Sequence, residues 1–445
     1  MKINIPQNAK TVINELNNSG FEAYVVGGCV RNAMMGVEPH DWDICTSAKP
    51  SEMEHVFKDY ETHDFGLKHG TLTVMSGGEA FEVTTYRIDG AYSDNRHPEQ
   101  VTFTDDLTLD LSRRDFTCNA MAYNDKDGVI DPFGGEDDLR NNLLRCVGDP
   151  DKRFNEDALR ILRGLRFASV CGFDIEKSTA QSIYKNAALL NNIANERIRS
   201  ELSGLLRGEA VCKILTEFRD VIAVFIPELA QTFDFPQHTK HHVYDVWQHI
   251  VHSIAAVEQN DVLRMTMLLH DLGKPQACTT DENGCSHFKG HQQISAELAE
   301  GILKRLRFPN DFSETCMKLI LWHDVRYSGS KKQIKRLLQK LGEENTRFLF
   351  KVQRADTAAQ SEYLRTEKFA SIGLAERQAE EILAENQCFD LKSLKVNGSD
   401  IKALGVKEGR AIGELLNKLL DDVIEERVEN NKPELLKRAK EYISL

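Results

Sequence analysis

The spacing of apolar residues predicts a helix followed by several strands in the first part of the chain. Apolar side chains recur at helical intervals over residues 7–19, and Gly20 ends that segment. Short apolar runs that predict strands then follow at residues 21–26, 41–45, 71–75 and 80–85. The last two runs flank Gly77 and Gly78, so together they predict a β-hairpin.

The later part of the chain has mainly helical periodicity. Apolar positions predict one helix over residues 156–168, four helices between residues 246 and 323, and two closing helices over residues 414–445. Residues 331–340 predict an amphipathic helix whose basic face is either solvated or in contact with RNA phosphates. Residues 87–112 are polar and rich in turn formers, and such a stretch in a compact domain is usually functional or mobile.

Length, charge and cysteine content restrict the class of protein. The 445 residues suffice for two to four domains, and no apolar run approaches membrane-spanning length. The N-terminal residues lack the apolar core of a signal sequence, and the ten cysteines are scattered, so we expect reduced thiols in the cytoplasm. A net charge of −13 argues against non-specific nucleic-acid binding through the overall field, but it is compatible with a local basic cleft.

Glycines and carboxylates after the first predicted strand indicate a nucleotide and metal site. Gly27 and Gly28 allow a sharp turn close to a ligand, and Arg31 follows where its guanidinium can bind phosphate. Asp41 and Asp43 are two residues apart in a predicted strand, so their side chains should point the same way. Such a carboxylate pair suits Mg²⁺, and the combination suits two-metal phosphoryl or nucleotidyl transfer. A surface turn followed by a solvated acidic pair is the alternative.

Further polar residues fit the same chemistry. Glu82 lies on the second strand of the predicted hairpin, where a third carboxylate would complete a metal site; an exposed strand glutamate is the alternative. Arg113 and Arg114, followed by Asp115, can hold phosphate oxygens. Asn119 can form a hydrogen bond with a ribose hydroxyl.

Charged residues recur at every third position of the helix predicted over residues 156–168. They are Asp157, Arg160, Arg163 and Arg166. Arginines this close together repel one another, so we expect either an anion over them or a solvated basic stripe.

Five short motifs connect these residues to one enzyme family. They are GGCVR at 27–31, DWD at 41–43, RRDFTCNAMA at 113–122, DPFGG at 131–135 and EDALRILR at 156–163. In this order they resemble the bacterial class II CCA-adding tRNA nucleotidyltransferases and their poly(A) polymerase relatives, whose head belongs to the DNA polymerase β superfamily. The segment ERIRSEL at 196–202 is similar to the last catalytic motif of that family.

The resemblance implies an α+β fold, in which a small mixed-sheet nucleotidyltransferase head precedes an all-helical neck, body and tail. It implies a head over residues 1–145, a neck with the nucleotide-reading helix over 146–210, a body with an HD domain over 211–365 and a tRNA-binding tail over 366–445. The implied activity is template-independent addition of CCA to the 3′ end of tRNA from CTP and ATP, with Mg²⁺ as cofactor.

The resemblance also assigns roles to the candidate residues. Asp41, Asp43 and Glu82 would be catalytic, with the two aspartates holding the metal ions. The residues expected to bind the nucleotide are Gly28, Arg31, Arg114, Asp115, Asn119, Asp157, Arg160, Arg163 and Arg166.

An acceptor beside a donor can select both cytosine and adenine. One turn apart on the predicted helix, Asp157 accepts and Arg160 donates hydrogen bonds, and both bases present an exocyclic amine next to a ring nitrogen. Uracil and guanine would instead place a carbonyl oxygen against the carboxylate. The resemblance further implies that a flexible loop within residues 87–112 takes part in the switch from C to A.

A second set of candidate ligands lies in the predicted helices of the body. It comprises His249, His270, Asp271, His291, His323 and Asp356. Imidazole and carboxylate groups from several helices suit a transition-metal or Mg²⁺ site that activates water against a phosphoester. The stretch LLHDLGKP at 268–275 is similar to the hallmark of HD-superfamily phosphohydrolases, and a degenerate structural HD domain is the alternative. His241 and His242 could add ligands or begin a helix.

Two other functions are compatible with these residues. A poly(A) or A-adding polymerase of the same superfamily would not use CTP, although residues 66–70 depart from its expected signature. A metal-dependent phosphohydrolase acting on cyclic or 2′ phosphates is the alternative from another class. The expected partners are tRNA, CTP and ATP, with no membrane, and the sequence carries no prediction of oligomeric state.

Overall fold

The computed structural model describes residues 2–90, 101–407 and 409–444, and the chain divides into two compact units. The first unit comprises Met1–Pro227 and the second Glu228–Leu445. The first unit contains a mixed sheet, whereas the second is almost entirely helical. This confirms the predicted α+β class, with a small mixed-sheet head that precedes a mostly helical remainder.

The first unit combines short strands with short helices. Its strands are β1 Ala23–Val26, β2 Ile44–Thr46, β3 Thr62–His63, β4 Thr71–Ser76, β5 Glu79–Thr85, β6 Arg87–Asp89, β7 Val101–Phe103, β8 Ala122–Asn124, β9 Gly128–Ile130, β10 Leu143–Leu144 and β11 Asp174–Ile175. Its helices are α1 Gln7–Asn18, α2 Gly28–Met34, α3 Pro50–Val56, α4 Leu107–Ser112, α5 Gly135–Arg140, α6 Pro150–Glu156, α7 Leu159–Cys171, α8 Lys177–Asn186, α9 Asn195–Leu206, α10 Val211–Glu217 and α11 Arg219–Ala223.

The main sheet of this unit has the strand order β3-β4-β5-β2-β1-β8-β9. Strands β2 and β5 are parallel, and the other neighbours are antiparallel. Successive side chains alternate between the two faces, so Val25 packs with α1 and α3 while Val26 packs with Leu111 of α4 on the other face. The sheet is therefore covered on both faces, and its strand ends form the edge at which the candidate site lies.

The second unit is built from longer helices and one short hairpin. Its elements are α12 Val246–Ala256, α13 Asp261–Leu269, α14 Lys274–Ala277, β12 Thr279–Thr280, β13 Ser286–His287, α15 His291–Arg305, α16 Asn310–Trp322, α17 Lys331–Ala358, α18 Arg365–Ala384, α19 Gly398–Lys402, α20 Arg410–Ile424 and α21 Lys432–Ser444. Gly342 interrupts α17 with φ 77° and ψ 171°. Among the described helices, none combines the length and the apolar composition that crossing a lipid bilayer requires.

The structure differs from the sequence predictions in two places near the candidate site. Strand β2 begins at Ile44, so Asp41 and Asp43 lie in the segment that precedes the strand. The helix predicted over residues 156–168 is divided between α6 and α7, because Asp157 has an extended backbone with φ −137° and ψ 105°. The Asp157 carboxylate accepts the Leu159 amide at 3.0 Å, and this local bond favours a helix boundary.

The polar stretch over residues 87–112 contains regular structure at both ends. Strand β6 pairs with β7 in antiparallel register, and α4 follows. Asp106 caps α4 by accepting the Thr108 amide at 2.7 Å. Residues 91–100 lie outside the described residues, so the role expected for this stretch in switching from C to A stays a prediction.

The basic helix predicted over residues 331–340 forms the first part of α17. Its cations pair with acids of the same unit: Lys331 Nζ lies 2.8 Å from Glu381, and Arg336 Nη2 lies 3.1 Å from Glu425. Lys332 Nζ lies 3.4 Å from Glu426. Neighbouring acids therefore pair with three cations of this face, whose side chains are partly exposed, and a contact with RNA phosphates stays a prediction.

Candidate functional site

A glycine turn after β1 brings two arginines close to the backbone. Gly27 has φ 80°, a conformation that glycine adopts without strain, and α2 starts at the next residue. A Cβ on Gly27 would lie 3.0 Å from Arg114 Nη1, and a Cβ on Gly28 would lie 3.6 Å from Arg31 Nη2. The absence of side chains at these two positions therefore gives both guanidinium groups access to the turn.

Strand register places two of the predicted metal ligands side by side. Ile44 pairs with Val83 across the parallel strands β2 and β5. Asp43 and Glu82 each precede one member of this pair, so they are neighbours. The Val26 amide donates to the Asp43 carbonyl at 3.0 Å, which fixes Asp43 beside the glycine turn.

The carboxylates at this edge influence one another. Surrounding protein atoms raise the pKa of Asp43 by partly excluding water, and the negative charges of Glu82 and Asp41 raise it further. Arg114 acts in the opposite direction. Mutually repelling carboxylates next to a cation-rich turn fit a divalent metal ion.

A chain of hydrogen bonds connects four of the predicted nucleotide-binding residues. Arg31 Nη1 donates to Asn119 Oδ1, Asn119 Nδ2 donates to Asp115 Oδ1 at 3.1 Å, and Arg163 Nε donates to Asp115 Oδ2 at 2.8 Å. Burial alone would raise the pKa of Asp115, but the charge of Arg163 and the hydrogen bonds from Asn119 and Arg163 lower it to about 2. These side chains hold one another in place at the end of the sheet.

Two acidic residues without a predicted role hold arginines of the site. Asp110 is fully buried, and its Oδ1 accepts from Arg113 Nε at 2.9 Å while its Oδ2 lies 3.6 Å from Arg114 Nη2. Arg166 Nε donates to Glu201 Oε2 at 2.6 Å. The spacing of Asp110, three and four residues before the arginines, was the sequence signal available for the first pair, whereas nothing local linked Glu201 to Arg166.

The two predicted base readers have separate partners. Asp157 Oδ2 accepts from Arg197 Nη2 at 3.1 Å. Arg160 is buried, and its guanidinium donates to Glu156 Oε2 at 2.8 Å and to the Arg113 carbonyl at 3.0 Å. Asp157 therefore lies at the boundary between α6 and α7 rather than within one helix with Arg160, and the Asp–Arg edge for base recognition stays a prediction.

All six predicted ligands of the second unit converge. Their ligand atoms form two groups, within each of which they lie no more than 4.8 Å apart: His249, His270, Asp271 and Asp356, and Asp271, His291 and His323. Asp271 belongs to both groups, with Oδ2 3.2 Å from His270 Nε2 and Oδ1 3.3 Å from His291 Nε2. We call these six residues the HD cluster.

Backbone carbonyls fix the orientation of the four histidines. Nδ1 of His270, His291 and His323 lies 2.7, 2.7 and 2.6 Å from the carbonyl oxygen three residues earlier in the chain. Nδ1 of His249 lies 3.2 Å from the Ala359 carbonyl oxygen. A proton on Nδ1 can donate to each carbonyl, which leaves Nε2 as the ligand atom directed into the cluster.

The buried atoms of the HD cluster have the chemistry of metal ligands. His291 Nε2 and His323 Nε2 are 3.1 Å apart, and both carry lone pairs when Nδ1 holds the proton. His270 Nε2 and both Asp271 carboxylate oxygens are buried without a hydrogen bond of suitable geometry. Burial alone would raise the pKa of Asp271, but His270 and Lys274 hold it well below its usual range. Nitrogen and carboxylate donors so arranged fit transition-metal ions.

A cavity of about 750 Å³ opens onto the HD cluster. Its lining includes the cationic side chains Lys274, Lys289, Arg326 and Lys368. Lys274, which had no predicted role, lies with Nζ 2.6 Å from Asp271 Oδ2. Among the described residues, His241 and His242 belong to neither ligand group, although the rings of His242 and His249 are 5.0 Å apart.

Three family models match parts of the chain. The Poly A polymerase head domain matches residues 23–145, which contain the glycine turn and the carboxylates. The probable RNA and SrmB-binding site of polymerase A matches residues 172–232. The putative tRNA nucleotidyltransferase domain 2 matches residues 278–439.

One similar protein and one similar structure cover nearly the whole chain, and a second relative covers about half of it. The CCA-adding enzyme of Streptococcus suis is 32% identical over 432 residues, which cover 97% of this chain and 95% of the relative. The CCA-adding enzyme of Lactiplantibacillus plantarum is 49% identical over 203 residues, which cover 46% of this chain and 49% of the relative. The crystal structure of the Bacillus stearothermophilus CCA-adding enzyme in complex with CTP has 28% identity and a TM-score of 0.73, and the match covers 98% of this chain and 97% of that chain.

Proposed function

Because this chain belongs to the class II CCA-adding enzymes, which add CCA to tRNA without a nucleic-acid template, we propose that the site around Gly27 carries out this reaction with CTP and ATP. The 3′-hydroxyl of tRNA attacks the α-phosphorus of the nucleotide, a new P–O bond forms, and pyrophosphate leaves. The two cytidines and the terminal adenosine would be added at the same site.

The register of β2 and β5 supports this proposal most directly. It sets the carboxylates of Asp43 and Glu82 next to each other, beside a turn at which Arg31 and Arg114 approach the backbone. Acceptors for a metal ion and donors for a polyphosphate therefore lie at one edge of the sheet.

The polar residues of this edge divide between anion binding and orientation. We assign Gly28, Arg31 and Arg114 to the triphosphate, with Arg163 and Arg166 in support. Asn119 lies between Arg31 and Asp115 and is assigned to the ribose. The buried Asp115 keeps the charge of Arg163 near the site rather than binding the nucleotide itself.

Divalent metal ions are general cofactors of CCA-adding enzymes, and we propose Mg²⁺ for this chain. Asp41, Asp43 and Glu82 would hold it: burial and then the negative charges of Glu82 and Asp41 raise the pKa of Asp43, and a divalent cation would relieve this repulsion. When bound, the metal lowers the pKa of the attacking hydroxyl and stabilises the leaving oxygens. The chain's own part is to hold these carboxylates in register.

Base selection is assigned to Asp157 and Arg160. The Asp157 carboxylate accepts a hydrogen bond from Arg197, and Arg160 donates one to Glu156. Base selection therefore requires both side chains to exchange these partners for the edge of the base.

A primer-extension assay tests the proposal. Purified protein and Mg²⁺ are incubated with tRNA lacking its 3′ end and with CTP, ATP or both, and the products are resolved on a sequencing gel. We expect two additions with CTP and a third only when ATP is present. Asp43→Asn should abolish extension, while Asp59→Asn, an exposed change in the same unit, should not. Addition of A without use of CTP would instead identify an A-adding polymerase.

The HD cluster supports a second activity, a metal-dependent phosphohydrolase. We propose that its six residues hold one or two divalent transition-metal ions and that the cationic cavity above them binds a phosphate ester. When bound, the metal activates water for attack on phosphorus. Lys274 orients Asp271, and the backbone carbonyls orient the imidazoles. Cyclic 2′,3′-phosphates and 2′-phosphates are the proposed substrates.

Metal analysis combined with phosphate release tests this second activity. Wild-type protein should contain a transition metal and release phosphate from a 2′-nucleotide in a chelator-sensitive reaction. Both properties should be lost in His270→Ala/Asp271→Ala and kept in the matched exposed pair His55→Ala/Asp59→Ala. Metal binding without hydrolysis of any phosphoester would favour a structural role for the cluster.

The organisation of the chain is proposed to follow the enzyme family. We assign the head to residues 1–145, the neck to 146–210, the body with the HD cluster to 211–365 and the tRNA-binding tail to 366–445. The boundary between the compact units, after Pro227, lies within the proposed body. We propose a cytoplasmic location because tRNA is the substrate.

A further inference from the structure

Three guanidinium groups of the proposed nucleotide site surround one phenyl ring. The Cζ atoms of Arg31, Arg163 and Arg166 lie 4.8, 5.3 and 4.4 Å from the centroid of the Phe167 ring. Distances below about 6 Å over an aromatic face give a favourable cation–π interaction. Phe167 is 6% exposed, so the ring itself is shielded from water.

The ring itself is held by its neighbours. Phe167 lies in α7, and its ring meets the Phe116 ring edge to face, with centroids 6.0 Å apart. Phe116 immediately follows Asp115, the acceptor of Arg163. The ring thus connects the helix that carries two of the arginines with the segment that carries the site's Asp and Asn.

The three arginines differ in how their charges are compensated. Arg163 pairs with Asp115 at 2.7 Å, and Arg166 pairs with Glu201 at 2.6 Å. Among the described residues, the hydrogen-bond acceptors of the Arg31 side chain are two amide oxygens, Asn32 Oδ1 at 2.9 Å and Asn119 Oδ1. Within the described part of the chain no carboxylate lies within 4.0 Å of the Arg31 guanidinium, although the residue is buried.

An aromatic ring and a carboxylate stabilise a buried cation in different ways. A carboxylate neutralises the charge, so an incoming anion must compete with it, whereas a ring offers its quadrupole and leaves the net charge intact. A cation held by amide oxygens and a ring is therefore ready to bind an anion. Arg31, beside Gly28, is such a cation.

We propose that Phe167 is a positioning residue for the nucleotide triphosphate, whose ring holds Arg31, and with it Arg163 and Arg166, without neutralising Arg31. This rests on the proposed nucleotide site and adds an apolar residue to it. Loss of the ring should weaken binding of the polyphosphate part of CTP and ATP and leave recognition of the base unchanged.

Competitive inhibition of the full-length enzyme separates polyphosphate binding from base recognition. Tripolyphosphate is the anionic probe, and CMP is the probe that carries a base. In Phe167→Leu we expect the Ki of tripolyphosphate and the KM of both nucleotides to rise about tenfold, which corresponds to about 1.4 kcal/mol. The Ki of CMP and kcat should change less than threefold. Phe173→Leu, a fully buried phenylalanine of the same unit, should change neither inhibitor. An equal loss for both inhibitors, or no loss, overturns the proposal.

Fluorinated phenylalanines at position 167 test the electrostatic role of the ring while the fold is kept. Fluorine weakens the ring quadrupole with little change in the shape of the side chain. Wild-type enzyme is compared with proteins that carry one, two or three fluorines on the Phe167 ring. We expect the tripolyphosphate Ki to rise with each fluorine, and a flat series overturns the role of the ring. Arg31→Ala provides the reference: if it leaves tripolyphosphate inhibition unchanged, the nucleotide site itself is wrongly assigned. If Arg31→Ala weakens inhibition and the series is flat, only the role of Phe167 fails.

Discussion

At the scale of single residues, Asp115 shows how a buried charge can organise a binding site. It accepts hydrogen bonds from Asn119 and Arg163, and through Asn119 it is linked to Arg31. The sequence identified these residues because arginine, asparagine and aspartate occur together in one motif. It could not show that they bind one another, because Arg163 comes from a helix 48 residues further along the chain.

Replacement of Asp115 should make the stability of the protein less dependent on acid pH. The folded-state pKa, about 2, lies below the usual value, so the pair with Arg163 stabilises the fold above about pH 4 and is lost as the pH falls towards 2. A shift of this size corresponds to about 2 kcal/mol. Urea unfolding should show a difference in the free energy of unfolding between wild type and Asp115→Asn at pH 7, and this difference should narrow steadily as the pH falls from about 4 towards 2. A difference of constant size would exclude this pair as its cause.

Asp157→Ala should relax the choice of nucleotide more than it weakens binding. In the proposed role the carboxylate would repel the carbonyl oxygen of uracil, and such a base contact is worth about 1–3 kcal/mol of discrimination. We therefore expect the ratio of kcat/KM for CTP over UTP to fall at least fivefold. Asp174→Ala, at an exposed position of the same unit, serves as the control. An unchanged ratio would remove Asp157 from base selection.

At the scale of elements, structures marked by local sequence signals were predictable, whereas pairing between distant strands was not. The hairpin of β4 and β5 was predicted because Gly77 and Gly78 provide the left-handed turn, with φ 61° and 84°. The parallel pairing of β2 with β5 joins distant segments, and no feature of either strand encodes it. The break at Asp157 was missed because helical periodicity continues across it, while a single side-chain bond to the Leu159 amide ends the first helix.

Gly342→Ala should destabilise the second unit through the backbone alone. Its φ of 77° with ψ of 171° is a conformation essentially restricted to glycine, and an added Cβ would meet no atom within 4 Å. We expect a loss of about 1–3 kcal/mol in the free energy of unfolding, measured by urea denaturation. Gly301→Ala, in the interior of α15 with equally open surroundings, should instead be stabilising by up to about 1 kcal/mol. Equal effects of the two substitutions would contradict this explanation.

At the scale of the whole molecule, each of the two units contains one set of candidate functional residues. The sequence predicted both sets because short motifs mark them. It did not predict that Asp271 belongs to two ligand groups, that carbonyls orient each imidazole or that acids pair with cations at the start of α17. Those features depend on packing between helices, which composition and periodicity do not specify.

Loss of the HD cluster should leave CCA addition intact. Asp271 and His270 lie in the second unit, whereas Asp43 and Glu82 lie in the first. The double variant His270→Ala/Asp271→Ala should therefore extend tRNA with CTP and ATP at a rate within about twofold of wild type, while phosphate release is lost. Circular dichroism should first establish that the variant is folded. A parallel loss of both activities would show that the cluster is required for the first reaction.

The parallel register of β2 and β5 makes the head sensitive to changes in chain length as well as in chemistry. Side chains alternate along β5, so one residue inserted between Gly78 and Phe81 would turn the Glu82 carboxylate to the opposite face and present Phe81, a core residue, to Asp43. Every residue type would still be present, yet the acidic pair would be gone. Tolerance to single-residue insertions should therefore be lowest in the few positions between the turn at Gly77 and Gly78 and the end of β5, and insertions and deletions alone could map the edge that carries the acidic pair.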